Sequence, residues 1–254
     1  MTTAVSDSRA EYVLRFADSA LVLAQRLSAW IGHAPVMEED VALANVSLDL
    51  FGQARLWLAY AGELEGAGRD EDRLAYHRDA REFRNVLLVE RPNGDFAVTT
   101  VRGYFYDLWA HFALGALARS SDERIAAIAQ KTFKENAYHL RRSEDWLVRL
   151  GDGTRESRER AQRAANDLWR YTGELFLGDD VDASMHSRAI GFSPEALREP
   201  WLERVRESFS SATLDVPADT WMQRGGRQGV HTEALGYLLA EMQVLPRAMP
   251  EAIW

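Results

Sequence analysis

Cysteine is absent from all 254 residues. Disulfides, thiolate nucleophiles and cysteine-held iron–sulfur clusters are therefore excluded. MTTAVSDSRAEYVLRF carries no signal-peptide pattern, and no apolar run reaches the length of a membrane span, so a cytoplasmic protein is expected. Positive charge is short: 30 Lys and Arg stand against 39 Asp and Glu, a formal net charge of −9. That balance argues against nucleic acid, which wants a basic face. It leaves small acidic ligands open, because local arginine clusters coexist with an acidic total. No Gly-x-Ser-x-Gly occurs, so serine hydrolase chemistry has no support. RGGRQG (224–229) precedes a helix and could hold phosphate on backbone N–H groups. It lacks the Lys-Ser/Thr of a P-loop and follows no strand, which makes it a helix-entry loop. Internal repeats, low-complexity tracts and sustained strand-period segments are missing as well.

What is present is helical. Hydrophobic residues make up 46% of the chain and eight are Trp, enough for a sizeable core. One large helical domain over 11–254, after a disordered tail at 1–10, is within reach of this length. Over 11–31, apolar residues recur at Val13, Phe16, Ala20, Leu23, Leu27 and Trp30, until Gly32-His33-Ala34-Pro35 stops the helix. A second helix is predicted over 38–65, with a stripe through Ala42, Val46, Asp49, Gln53, Leu56 and Tyr60. The stretch 69–84 is charged enough to be a short surface helix, LLVE is apolar and RPNGD is a turn. Further helices are predicted over 96–119, 122–150, 155–176, 194–212 and 231–248, with 178–193 irregular and 214–229 a loop. Four of the six or seven helices are long.

The 122–150 helix organises the rest. Its stripe runs through Ile125, Ile128, Thr132, Asn136, His139, Ser143, Leu147 and Leu150. Asn136 and His139 thus lie one turn apart on the face that should be buried. That is the geometry of the Glu-x-x-His half-site with which helix bundles hold paired iron or manganese, with Asn in place of Glu. A core histidine satisfied by hydrogen bonds is the commoner arrangement. Asp107 and His111, also one turn apart on the 96–119 helix, could form an acid–base couple, although a buried ion pair bridging helices is commoner. His231 opens the last helix, as a capping or packing residue.

Four long helices with polar residues at mid-height of their buried faces form the ferritin-like bundle pattern, with additional C-terminal helices. A dimetal site there needs four carboxylates and two imidazoles. The first helix has Ala20 at mid-face, with Asp18 two residues off it. The second has Asp49, but Gly52 where a histidine belongs; the third has Asp107; the fourth has Asn136 and His139. Two aspartates leave half the charge of two divalent ions uncompensated in a buried place, at a cost of several kcal/mol or more. No dimetal centre is expected. A hydrogen-bonded or ion-paired plug, Asp107 to His139 for example, is.

Four segments carry a resemblance. They are ALANVSLDLFGQARLWLAYAGEL (42–64), LLVERPNGDFAVT (87–99), KENAYHLRRSEDWLVRLG (134–151) and GGRQGVHTEALGYLLAEMQ (225–243). Together they resemble the C subunits of the ring-1,2-phenylacetyl-CoA epoxidases, bacterial multicomponent monooxygenases, over nearly the whole chain from Tyr12. The resemblance implies a ferritin-like fold and a non-catalytic chain. It would stabilise a sister subunit of the same fold, which carries the di-iron centre and oxidises the aromatic ring. It also implies a degenerate former site. Asp49 and Gly52 fall at the first Glu-x-x-His pair, Asp107 at a retained aspartate, and Asn136 and His139 at the second pair.

Two functions follow from different classes. One is a scaffold without catalytic, cofactor or metal residues of its own, in obligate association with the di-iron subunit. Its docking surface would draw on outer-face Trp residues and the charged 69–84 segment. The other is a metalloenzyme with an irregular site of Asp49, Asp107 and His139, and Glu135 as a further donor.

Overall fold

The computed structural model describes residues 8–250 and Ala252. In chain order the α-helices are α1 (Ser8–Ser28), α2 (Met37–Glu65), α3 (Glu71–Tyr76), α4 (Leu87–Glu90), α5 (Phe96–Leu117), α6 (Glu123–Gly151), α7 (Arg155–Trp169), α8 (Asp180–Ser187), α9 (Arg198–Ser211) and α10 (Glu233–Ala248). No strand occurs among the described residues, and none of their helices is long and apolar enough to cross a membrane. The chain divides into two compact units. One holds Met1–Ile31, Val41–Pro92 and Gly225–Trp254; the other holds Gly32–Asp40 and Asn93–Arg224.

In the first unit α1 is buried on nearly every side from Ala10 to Ala24, and its Phe16 ring packs on Trp57 of α2 at 5.7 Å. The Ser47 hydroxyl of α2 donates to the Ala24 carbonyl at 2.9 Å. The Asp18 carboxylate in this core is answered several times over. Asp18 accepts both arms of the Arg78 guanidinium and, at 2.8 Å, the Arg84 amide. Both side chains are almost wholly buried. The 69–84 stretch holds the short helix its charge suggests, α3, largely at the surface, while Leu74, Ala75, Arg78 and Phe83 reach into the core. A bidentate guanidinium–carboxylate pair with further hydrogen bonds offsets its own desolvation, which one partner alone could not do. On α10, the Gln243 side-chain amide donates to the Arg78 carbonyl at 3.0 Å.

The second unit is built on α5, which is apolar all round and buried along most of its length. Asp95 caps it by accepting from the Val98 amide at 3.0 Å. Phe105 sits among Trp169, Trp201 and Phe209, with centroids 5.6–5.9 Å away. The indoles are satisfied there: Trp201 donates to the Phe105 carbonyl at 3.2 Å and Trp109 to the Leu175 carbonyl at 3.1 Å. Trp57, Trp109, Trp169 and Trp201 are core, Trp146 is half-buried, Trp221 is exposed and Trp254 lies outside the described residues.

Several boundaries differ from expectation. Helix α1 begins at Ser8, inside the stretch read as tail, while residues 1–7 lie outside the described residues. The predicted 155–176 helix ends at Trp169 and resumes as a 3-10 turn, Gly173–Phe176. A Cβ on Gly173 would sit 2.7 Å from Met222, so the chain crosses too closely for a side chain. Within 178–193, read as irregular, Asp179 and Asp182 form a capping box that starts α8.

Candidate functional site

Asp107, Asn136 and His139 come together between α5 and α6. Helix α6 has a polar outer face and one apolar stripe, so its rotation is fixed by the burial of that stripe. Asn136 and His139, one turn apart, are forced inward with it and are 3% and 1% exposed. The Asn136 amide donates to the Asp107 backbone carbonyl at 3.2 Å, bridging the two helices. The Ser143 hydroxyl, a turn beyond His139, donates to Asp107 Oδ2 at 2.8 Å. Asn136 Oδ1 is buried and has no hydrogen-bond donor among the described residues.

Burial pushes the Asp107 carboxyl up to about 6. The nearby His139, the Ser143 hydroxyl and the Arg142 guanidinium pull it back only in part. Arg142 is itself engaged by Glu39 in a nearly buried ion pair. Of the expected Asp107–His139 plug, the structure shows His139 close enough to ease the ionisation of Asp107. The Asp107–His111 couple does not form: the His111 ring lies on Phe133 at 4.8 Å, and its Nδ1 has no hydrogen-bond partner among the described residues. Burial lowers the His111 pKa, with Arg204 adding to the effect.

Because its native pKa lies above the ordinary value near 4, Asp107 holds its proton in the folded state over a window where the unfolded chain has lost it. Stability therefore falls as pH rises from about 4 to about 6, by about 3 kcal/mol in total. Asp107→Asn retains an acceptor for Ser143 and removes the titration. It is expected to melt close to the parent at pH 4 and several degrees above it at pH 8. A melting difference that is flat between these pH values in thermal denaturation would disprove the buried titration.

The other expected site residues lie on α2 in the first unit. Asp49 is half-buried and Gly52 is exposed, while Ser47, Leu50, Gln53 and Ala54 form the buried face. Of the expected row, Val46, Gln53 and Tyr60 are buried and Ala42, Asp49 and Leu56 half-buried, so the buried face is turned slightly from it, because α2 has apolar residues on every side. Ala20 is buried, and Asp18, the carboxylate nearest it in sequence, is committed to Arg78. Glu135 is half-exposed at the edge of α6.

A second buried polar cluster gave no local signal. In the first unit Glu90 accepts from the Asn85 side-chain amide at 2.9 Å and the Thr232 backbone N–H at 2.7 Å. His231 Nδ1 lies 2.8 Å from Glu90 Oε2, and Nε2 donates to the Phe83 carbonyl at 3.0 Å. The cluster fastens the 225–232 segment, whose Gly226 passes so near the Asn85 carbonyl that a Cβ would lie 2.2 Å from it. His231 is a packing residue, and the glycines of RGGRQG serve close approach.

The donor set around Asp107 is one carboxyl that titrates near 6, one imidazole, one amide and one hydroxyl. It does not suit two divalent ions, and no group of three or more His, Asp or Glu among the described residues is arranged to hold a metal ion. The fold is nevertheless of the ferritin-like class, all-α, with the long helices α1, α2, α5 and α6 and additional C-terminal helices. The chain belongs to the family described as phenylacetic acid catabolic protein, which it matches over residues 1–254. It is 50% identical over 243 residues to the C subunit of the 1,2-phenylacetyl-CoA epoxidase of Escherichia coli (strain K12), covering 96% of this chain and 98% of that one.

Proposed function

We propose that this chain is the non-catalytic structural subunit of a multicomponent di-iron monooxygenase that epoxidises the ring of phenylacetyl-CoA. It would act in the cytoplasm, in aerobic phenylacetate catabolism. Its role is to hold and stabilise a catalytic sister subunit, which carries the di-iron centre. The relative is named as one subunit of an epoxidase, which supports the assembly. The observation that carries the reading is Asn136: where a half-site needs a carboxylate, an amide is spent on the Asp107 carbonyl. Asp49, Gly52, Asp107, Asn136 and His139 are, on this reading, the remains of a metal site, with no catalytic, cofactor or metal residue left in the chain.

Elemental analysis of the purified chain after iron-supplemented expression tests this. Well under one iron or manganese per chain is expected. Close to two per chain would overturn the reading and favour a metalloenzyme built on Asp49, Asp107 and His139.

A further inference from the structure

The outer, polar face of α6 carries a cluster that its buried face does not use. Arg141, Arg142 and Arg149 line one cleft of about 210 Å³, together with Tyr138 and Trp146. Two carboxylates, Glu39 and Asp145, line it as well. Three guanidinium charges are thus gathered on one helix of a chain whose formal net charge is −9. Crowding like charges on a helix face costs stability, so the cluster needs a reason.

Each guanidinium is held in a way that leaves donors over. Arg142 gives one arm to Glu39, and both side chains of that pair are 12% exposed. Its Nε is buried and has no hydrogen-bond partner among the described residues. Arg149 lies over the Trp146 ring at 5.2 Å, and Phe96 steadies that ring edge-on at 5.0 Å. A cation–π contact occupies the face of a guanidinium and leaves its in-plane N–H groups free to donate. Neither Arg141 nor Arg149 pairs with a carboxylate among the described residues, although Asp145 is close by on the same helix.

Forked guanidinium donors match the oxygens of a phosphate. The cleft is smaller than the roughly 300–1,000 Å³ of a site that encloses a whole ligand, so it suits one phosphate group with the rest of the molecule outside. Tyr138, 41% exposed, adds a ring on which a base can stack.

We propose that this cleft binds the 3′-phosphate of the acyl-CoA substrate, with the adenine against Tyr138, while the acyl end of the same molecule reacts in the catalytic subunit. That phosphate is a monoester, with about −1.5 to −2 charges near neutral pH, and it lies at the end of coenzyme A remote from the thioester. The assignment rests on the structural-subunit reading and gives that subunit a share in holding the substrate.

The purified complex, checked for assembly by size-exclusion chromatography, is assayed with phenylacetyl-CoA and with its dephospho analogue, which lacks the 3′-phosphate. Arg141 and Arg149 are exposed, so replacing both should leave the fold intact. Arg141→Ala with Arg149→Ala is expected to raise KM for phenylacetyl-CoA at least tenfold, with kcat within twofold. On the dephospho substrate the double variant and the parent should agree within twofold, because the group that the arginines hold is gone. Parent-like KM on both substrates would overturn the site, and so would an equal loss on both. On the isolated chain, equilibrium dialysis should show adenosine 3′,5′-bisphosphate bound at least tenfold more tightly than inorganic phosphate. Equal affinities would mean an adventitious ion only and would overturn the assignment, as would no binding of either. A parent chain that forms no complex with the catalytic subunit would overturn the structural-subunit reading, and the dialysis would still decide the cleft.

Discussion

Asn136→Glu, the substitution that would rebuild a Glu-x-x-His pair, is expected to destabilise the chain by roughly 3–5 kcal/mol at pH 8. Position 136 is 3% exposed, and its amide is the donor that satisfies the Asp107 carbonyl. An ionised glutamate has nothing to donate, so that carbonyl loses its partner and a second negative charge is buried beside Asp107. Asp107 already resists ionisation, titrating near 6, and the new charge would push it further up. The loss should shrink at pH 5, where a protonated glutamic acid supplies the missing donor. For a chain of this length the drop at pH 8 amounts to roughly 10 °C in melting temperature. Scanning calorimetry of parent and variant at both pH values, in chelator-treated buffer, gives the answer. A variant that melts at or above the parent at pH 8 would show that position 136 opens onto water.

How much of this was legible in the sequence depended on how lopsided each helix is. On α6 the expected stripe is buried from Ile125 to Leu147, and only Leu150 is half-exposed. A helix with one apolar face has one way to lie. On α2 the expected row included Ala42, Asp49 and Leu56, all half-buried, while Leu43, Ser47, Leu50 and Trp57 are buried. There apolar residues surround the axis, and several rotations bury similar area. The same ambiguity brought Gly52 into the expected site row, although it faces solvent. Arg78 and Glu90 could not be found by periodicity at all. Each sits in a short charged or apolar run, and each is buried because its partner, Asp18 or His231, arrives from 60 or 141 residues away. A buried charge is specified by its partner's position, which helix period does not encode. Helix α8 was legible and overlooked, since Asp179 and Asp182 are a capping signal three residues apart.

Turnover by the assembled epoxidase is expected to need this chain and to be nearly indifferent to His139. On the proposed reading, the catalytic subunit expressed alone is poorly soluble or inactive, because an obligate interface is large and apolar and its loss exposes that area. Co-expression with this chain restores ring oxidation. His139 is 1% exposed and lies beside Asp107, so its replacement has to keep size and hydrogen-bonding reach. His139→Gln does so, and a complex containing it should turn over within a few-fold of the parent complex. Removing the imidazole also removes a group that eases Asp107 ionisation. The variant should therefore melt lower, while the reconstituted rate hardly changes. Stability and rate are separated by measuring ring oxidation only on fractions that size-exclusion chromatography shows to be fully assembled. If such fractions lose more than about a hundredfold in rate, some 2.7 kcal/mol of barrier, His139 takes part in the chemistry. The polar cluster of α5 and α6 would then be a working site rather than the remnant of one.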